Sequence, residues 1–182
     1  MNQTNHNSNL ISKRKIAGSY LLAILSFVIL VVIDQLSKYY ITTTMKLHDS
    51  IPVIKDVFEI HYIHNPGAAW GMLENQQLLF AICAIVASIF GAIYYDKCLQ
   101  ANTMKALRIC IVVILAGAIG NLIDRVRFQY VIDFIYFKLI DFPVFNIADC
   151  YGTVGFFVMI IFVLFVYKDE QLEILSFKKK SE

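Results

Sequence analysis

Apolar residues run almost unbroken four times along this chain, over about 17–40, 77–95, 107–124 and 146–167. Each run is near the ~20 residues that a helix needs to cross the hydrocarbon of a bilayer. The pattern predicts an all-α membrane protein with four transmembrane helices in one bundle. Lys13, Arg14 and Lys15 precede the first run as they would in a secretory signal, but Asp34 and Lys38 follow it in place of a small-residue cleavage site. That run therefore reads as an uncleaved helix. The domain spans 17–167, flanked by a polar, disordered tail over 1–16 and a basic tail over 168–182.

The connections divide into two kinds. Lys and Arg gather before the first run, between the second and third (Lys97, Lys105, Arg108) and after the fourth (Lys168, Lys178, Lys179, Lys180). Basic residues favour the cytoplasmic side, so both termini are expected there, with 41–76 and 125–145 on the outer side. In the first outer segment "DVFEIHYIH" alternates apolar and polar residues in part, as a half-buried strand does, and "NPGAAWG" reads as a turn. The second, "YVIDFIYFKLIDFPVF", is aromatic and β-branched. A small extracytoplasmic β-rich segment resting on the membrane face is expected.

Composition changes this picture little. At 58% hydrophobic, 16% charged and a mean hydropathy of +0.63, the chain is too apolar for an ordinary soluble domain. The net charge is only +2, with no basic groove for nucleic acid. Cys83, Cys98, Cys110 and Cys150 show no metal-ligand spacing, and no structural disulfide is expected.

The embedded polar residues matter more, because a charge at membrane depth is costly and rarely accidental. Asp34 and Lys38 close the first run, Asn121, Asp124 and Arg125 close the third, and Asn146 and Asp149 open the fourth. In an up-down bundle all of these lie at one end, beside Asn65 and Asp133 of the outer segments. One polar site near the outer surface would explain them together; separate snorkelling residues are the plainer alternative. Asp34 and Lys38 are i,i+4 and read as an ion pair. Asp124 has a cation at hand in Arg125 and should stay ionised. Asp133 and Asp149 have no adjacent cation in sequence. Two such carboxylates held close share a proton, so one can act as base and the other as acid. The residues alone favour Asp133 with Asp149 only slightly over Asp124 with Asp149. Other chemistries fit less well. There is no HExxH, Ser37 and Lys38 point apart on a helix, and Cys150 has no nearby histidine to activate it. A small proton-linked transporter or a lipid-binding scaffold is the other class, but it would call for polar residues in the cytoplasmic halves of the helices, which are almost purely apolar.

Five ordered blocks, "DQLSK" (34–38), "NPGAAWG" (65–71), "AGAIGNLIDR" (116–125), "VIDF" (131–134) and "FNIAD" (145–149), resemble the lipoprotein signal peptidase family, signal peptidase II, over nearly the whole chain. Ala116 stands where many relatives have Gly. The resemblance implies a bacterial inner-membrane aspartyl protease that cuts prolipoproteins just before a diacylglyceryl-modified cysteine. It implies catalysis by Asp133 and Asp149, supporting or substrate-binding roles for Asp34, Lys38, Asn65, Gly67, Asn121, Asp124, Arg125 and Asn146, no cofactor, contact with membrane lipids, and inhibition by globomycin-type cyclic peptides.

Overall fold

The computed structural model describes residues 2–67 and 75–175, without the side chains of 2–12 and 174. In chain order it contains α1 (Asn2–Thr44), β1 (Ser50–Ile54), β2 (Phe58–Asn65), α2 (Gln77–Gln100), α3 (Lys105–Phe128), β3 (Val131–Tyr136), α4 (Ile147–Ile161) and the short α5 (Asp169–Leu172). Four stretches, Lys13–Thr44, Gln77–Gln100, Lys105–Phe128 and Ile147–Val166, are helices long and apolar enough to cross a membrane. They coincide with the four apolar runs; the first overshoots both ends of its run by about a turn, the second and third overshoot their C-terminal ends by about a turn, and the fourth matches its run to within a residue. The backbone is helical from Asn2, where polar composition predicts a disordered tail. Once a long helix is nucleated, each added residue gains a hydrogen bond, so polar residues extend it readily.

The two segments between spans on the site's side form one antiparallel sheet of order β1-β2-β3. Asp56, at φ 59°, turns the β1–β2 hairpin. In the β2–β3 pairing Ile63 faces Asp133 and Asn65 faces Val131. The sheet closes over the end of α1 through Ile41, Met45, Tyr62, Ile132 and Phe134. The chain bends at Pro66 and Gly67; the rest of the turn expected over 65–71 lies outside the described residues. After β3 the chain returns and bridges it at Phe145, whose N–H and C=O both pair with Ile135 at 3.0 and 2.8 Å. The start of α4 is thereby pinned to the strand. A second apolar cluster, Cys98, Met104, Leu107 and Ile111, holds the opposite end of the bundle.

Burial runs opposite to that of a water-soluble protein. Leu22, Leu25, Val28, Phe156 and Phe165 are exposed on the outward helix faces, while Asp34, Lys38, Asp124, Asp133 and Asn146 are each 1% exposed or less. Lipid provides no hydrophobic force between helices, so small residues and polar contacts must hold them. Gly117 and Gly120 serve this on α3. A Cβ on Gly117 would lie 2.4 Å from the carbonyl oxygen of Ala148, and one on Gly120 would lie 2.6 Å from Asp34 Oδ2. Gly152 has open space around it. Gly117→Ala and Gly120→Ala should each lower the melting temperature in detergent by several degrees, and Gly152→Ala should leave it within a degree or two, as overpacking costs about 1–3 kcal/mol. Equal melting temperatures for all three would show that the α3–α4 approach is not tight.

Candidate active site

The site grows from a buried ammonium. Lys38, on α1, has three donors and uses each one: Asp34 Oδ2 at 2.9 Å, Asp124 Oδ2 at 2.9 Å and Asn121 Oδ1 at 2.9 Å. The carboxylates are satisfied on every oxygen. Asp34 Oδ1 accepts the N–H of Ala148 at 3.0 Å, and Asp124 Oδ2 accepts that of Ile132 at 3.2 Å. Gln35 donates to both, at 3.2 Å to Asp34 Oδ2 and 3.0 Å to Asp124 Oδ1. Asp34 thus fastens α1 to the first turn of α4, and Asp124 fastens α3 to the start of β3.

The i,i+4 pair is the one the sequence suggests. The cation on Asp124 is not. Sequence adjacency assigns it Arg125; the structure supplies Lys38. Successive helical residues point about 100° apart, so Arg125 faces away. Its guanidinium donates to the carbonyl of Gly67 at 3.2 Å and lies 4.4 Å from the centre of the Phe80 ring. The N–H of Gly67 in turn donates to Asn65 Oδ1 at 3.0 Å, so Arg125, Gly67 and Asn65 form one chain of contacts.

That chain and the Lys38 cluster meet at two carboxylates. Asp133 Oδ2 accepts from Asn65 Nδ2 at 2.8 Å and Oδ1 from Asn146 Nδ2 at 2.6 Å. Asp149 Oδ1 accepts from Asn121 Nδ2 at 2.7 Å, and Oδ2 from the backbone N–H of Asn146 at 3.0 Å. Asn146 caps α4 and accepts from the N–H of Asp149 at 3.0 Å, a capping box in which Asp149 takes the place usually held by Glu or Gln. The cap residue touches both carboxylates, one through its side chain and one through its backbone. Neither Asp133 nor Asp149 makes an ion pair among the described residues. Both border a cavity of about 520 Å³ whose wall also includes Arg125, Phe142, Val144, Cys150 and Val154.

All ten residues singled out from the sequence, Asp34, Lys38, Asn65, Gly67, Asn121, Asp124, Arg125, Asp133, Asn146 and Asp149, enter this network. Sequence reasoning missed Gln35, which sits inside the "DQLSK" block as a third embedded polar residue, and Gln77, whose amide holds the Pro66 carbonyl at 2.6 Å. The strand histidines are paired elsewhere than with the two carboxylates: His61 pairs with Ser50 at 2.6 Å, and His64 with Tyr62 at 2.8 Å. The four cysteines are free. Among the described residues no three His, Cys, Asp or Glu side chains converge as metal ligands.

Comparison with known proteins finds relatives over most of the chain. The family model described as Signal peptidase (SPase) II matches residues 26–165, a stretch that contains every residue of the network. The chain belongs to the signal peptidase II family. It is 42% identical over 148 residues to the lipoprotein signal peptidase of Clostridioides difficile, covering 80% of this chain and 96% of that one. Its identity to the lipoprotein signal peptidase of Halothermothrix orenii is 39%, covering 74% and 90%. Two solved structures described as bacterial membrane enzymes, at 2.3 and 1.9 Å, superpose with TM-scores of 0.72 and 0.65 at 39% and 38% identity. They cover 88% and 80% of this chain. The transporter or scaffold reading is not favoured in a signal peptidase II relative whose buried charged residues, among those described, are Asp34, Lys38, Glu59, Asp124 and Asp133, all on the site's side of the molecule.

Asp133 lies on the sheet, outside the spans. Burial, and after it the charge of Asp149, pushes its carboxyl from the ordinary 3.8 up to about 7, against the pull of the amides of Asn65 and Asn146. The folded protein therefore keeps a proton that the unfolded chain has released. Stability should fall as pH rises from about 4 to about 7. The expected result is a melting temperature in detergent that declines over this window in the wild type and is flatter in Asp133→Asn. An unchanged slope in the variant would show that Asp133 titrates normally.

Proposed function

We propose that the chain is an intramembrane aspartic endopeptidase that removes the signal peptide from diacylglyceryl-modified prolipoproteins, cutting before the lipid-bearing cysteine. The reading rests on one observation: Asn146 links two carboxylates, Asp133 buried and Asp149 half-buried, neither ion-paired, at the wall of a cavity that opens between α3 and α4. A pair of this kind holds one proton between two acids. The ionised partner takes a proton from water as the oxygen attacks the scissile carbonyl carbon, and the protonated partner hydrogen-bonds the carbonyl oxygen. The tetrahedral intermediate then collapses. The C–N bond breaks, the former base returns its proton to the leaving amine, and the dyad again holds one proton. Asn65, Asn121 and Asn146 fix the two carboxylates by hydrogen bonds. Arg125, cradled by Phe80 and the Gly67 carbonyl, is placed to contact substrate backbone.

The substrate assignment is carried over from the lipoprotein signal peptidases to which the chain is similar. It suits a cavity walled by Phe142, Val144 and Val154 at the end of the apolar spans, where lipid chains stay in the bilayer while the peptide reaches the carboxylates. Globomycin-type cyclic peptides would compete for this cavity. The site would face the outer side of the bacterial cytoplasmic membrane with both termini inside, as the placement of Lys and Arg suggests.

Purified Asp133→Asn and Asp149→Asn, tested on a diacylglyceryl-modified prolipoprotein in detergent, should each lose at least about 10²–10⁴-fold in rate while remaining folded. Cys150→Ala should keep most of its activity. Asp124→Asn should instead melt earlier, through loss of a charge-assisted hydrogen bond worth about 1.5–3 kcal/mol. Substantial turnover by either of the first two variants would sink the dyad.

Orientation has its own test. Single cysteines at Asp49 and Lys138, in a cysteine-free background, should react in intact cells with a membrane-impermeant thiol reagent, and one at Asn102 should not. Labelling at Asn102 alone would invert the topology.

A further inference from the structure

The end of the bundle away from the carboxylates carries a second cavity that signal-peptide cleavage does not use. It is a groove of about 480 Å³ between α1 and α3, lined by Leu22, Ser26 and Leu30 on one side and Ile109, Val112 and Val113 on the other. Tyr95 of α2 closes it near Ser19, to whose carbonyl its hydroxyl donates at 3.0 Å. From Ser19 to Leu30 the groove extends along eleven helical residues, about 16 Å. One leaflet of hydrocarbon is about 15 Å deep. The groove therefore has the length of a single acyl chain in the leaflet opposite the carboxylate site.

Its mouth is cationic. Lys105 and Arg108, in the first turn of α3, both line it. Arg108 Nε is buried with no hydrogen-bond partner, and its guanidinium, 5.9 Å from the centre of the Tyr95 ring, makes no ion pair among the described residues. Lys15 lies i−4 from Ser19, hence on the same face of α1. The first turn of α3 has neither an acidic residue nor a side-chain cap, so its N-terminal partial charge is uncompensated. Of the carboxylates at this end, Asp96 is already held by the Tyr20 hydroxyl and by Gln100 at 3.2 Å, and Asp169, Glu170 and Glu173, on α5 and just after it, do not line the groove.

We infer that this groove binds an anionic phospholipid, with one acyl chain between α1 and α3 and the phosphate on Arg108 and Lys105. A planar guanidinium matches phosphate oxygens, and the bound lipid would satisfy the orphan Nε. A zwitterionic lipid would carry its own ammonium towards Lys105 and is disfavoured. The lipid would clamp α1 to α3 at the end of the bundle that the Lys38 cluster does not reach.

The test is native mass spectrometry of the full chain in detergent, titrated with phosphatidylglycerol and phosphatidylcholine of identical chains. Phosphatidylglycerol should bind more tightly, and Lys105→Gln/Arg108→Gln should weaken it by on the order of ten- to thirty-fold, the effect of two basic contacts at an anionic membrane surface. Lys138→Gln, an exposed lysine at the other end of the molecule, should change nothing. Ala23→Trp, which fills the groove without touching the charges, should also weaken lipid retention. Glycerol 3-phosphate should not compete. Equal retention of both lipids, a preference that survives the double substitution or Ala23→Trp, or competition by glycerol 3-phosphate would each overturn the assignment.

Discussion

The whole site hangs on where one ammonium is buried. An unpaired Lys charge in a membrane-embedded core would be prohibitive. Lys38 is tolerable only because three oxygens from two helices, Asp34, Asn121 and Asp124, stand 2.9 Å from its nitrogen. The two carboxylates need further donors of their own, and they find them in the backbone N–H groups of Ala148 and Ile132. Satisfying a single charge therefore draws α1, α3, the first turn of α4 and the first residues of β3 to one place. Between helices that lipid does not push together, such a cluster supplies the register that a hydrophobic core supplies in water.

The cluster also fixes chemistry one bond further out. An Asn side chain can present either end to a neighbour. Because the Asn121 oxygen is held by Lys38, its NH₂ must face Asp149. Asn146 is set in a similar way. Its oxygen caps the Asp149 N–H, which leaves its NH₂ for Asp133. The proposed acid–base pair is thus surrounded by donors whose direction is decided elsewhere, and it borrows no cation directly. The ion pairs of Lys38 thus stay within its own cluster, one hydrogen bond removed from the proposed pair.

Much of this was legible in the sequence. Hydropathy alone located the four spans, because an apolar run of bilayer length has few other uses. The convergence of Asp34, Lys38, Asn121, Asp124, Asn146 and Asp149 followed from up-down topology, which places the ends of odd helices beside the beginnings of even ones. Partner choice was not legible. Asp124 and Arg125 are neighbours in sequence, yet a helix turns them apart, and the cation that serves Asp124 comes from a different span. Gln35 was hidden for a similar reason: the "DQLSK" block reads as an i,i+4 pair, and nothing local shows that the residue between must bridge two helices. The groove between α1 and α3 was invisible too, since its walls are the same Leu, Ile and Val that mark the spans.

The division of labour between strand and helix has a further consequence. Asp133 sits on a strand held by β2, while Asp149 sits in the first turn of a helix. Two elements of such different stiffness and direction would not keep two carboxylates in register by packing alone. The Phe145–Ile135 bridge ties the residue before Asn146 to β3, and Asn146 then reaches both acids within one residue of that tie. The intervening loop, with Leu139 and Ile140 exposed, can follow the membrane surface without disturbing this short path. What sets the geometry of the pair is therefore the run from Phe145 to Asp149, which belongs to the sheet at its first residue and to the helix at its last. This explains why a carboxylate opens a membrane-spanning run: the capping box that begins α4 is also the device that holds Asp149 against Asp133.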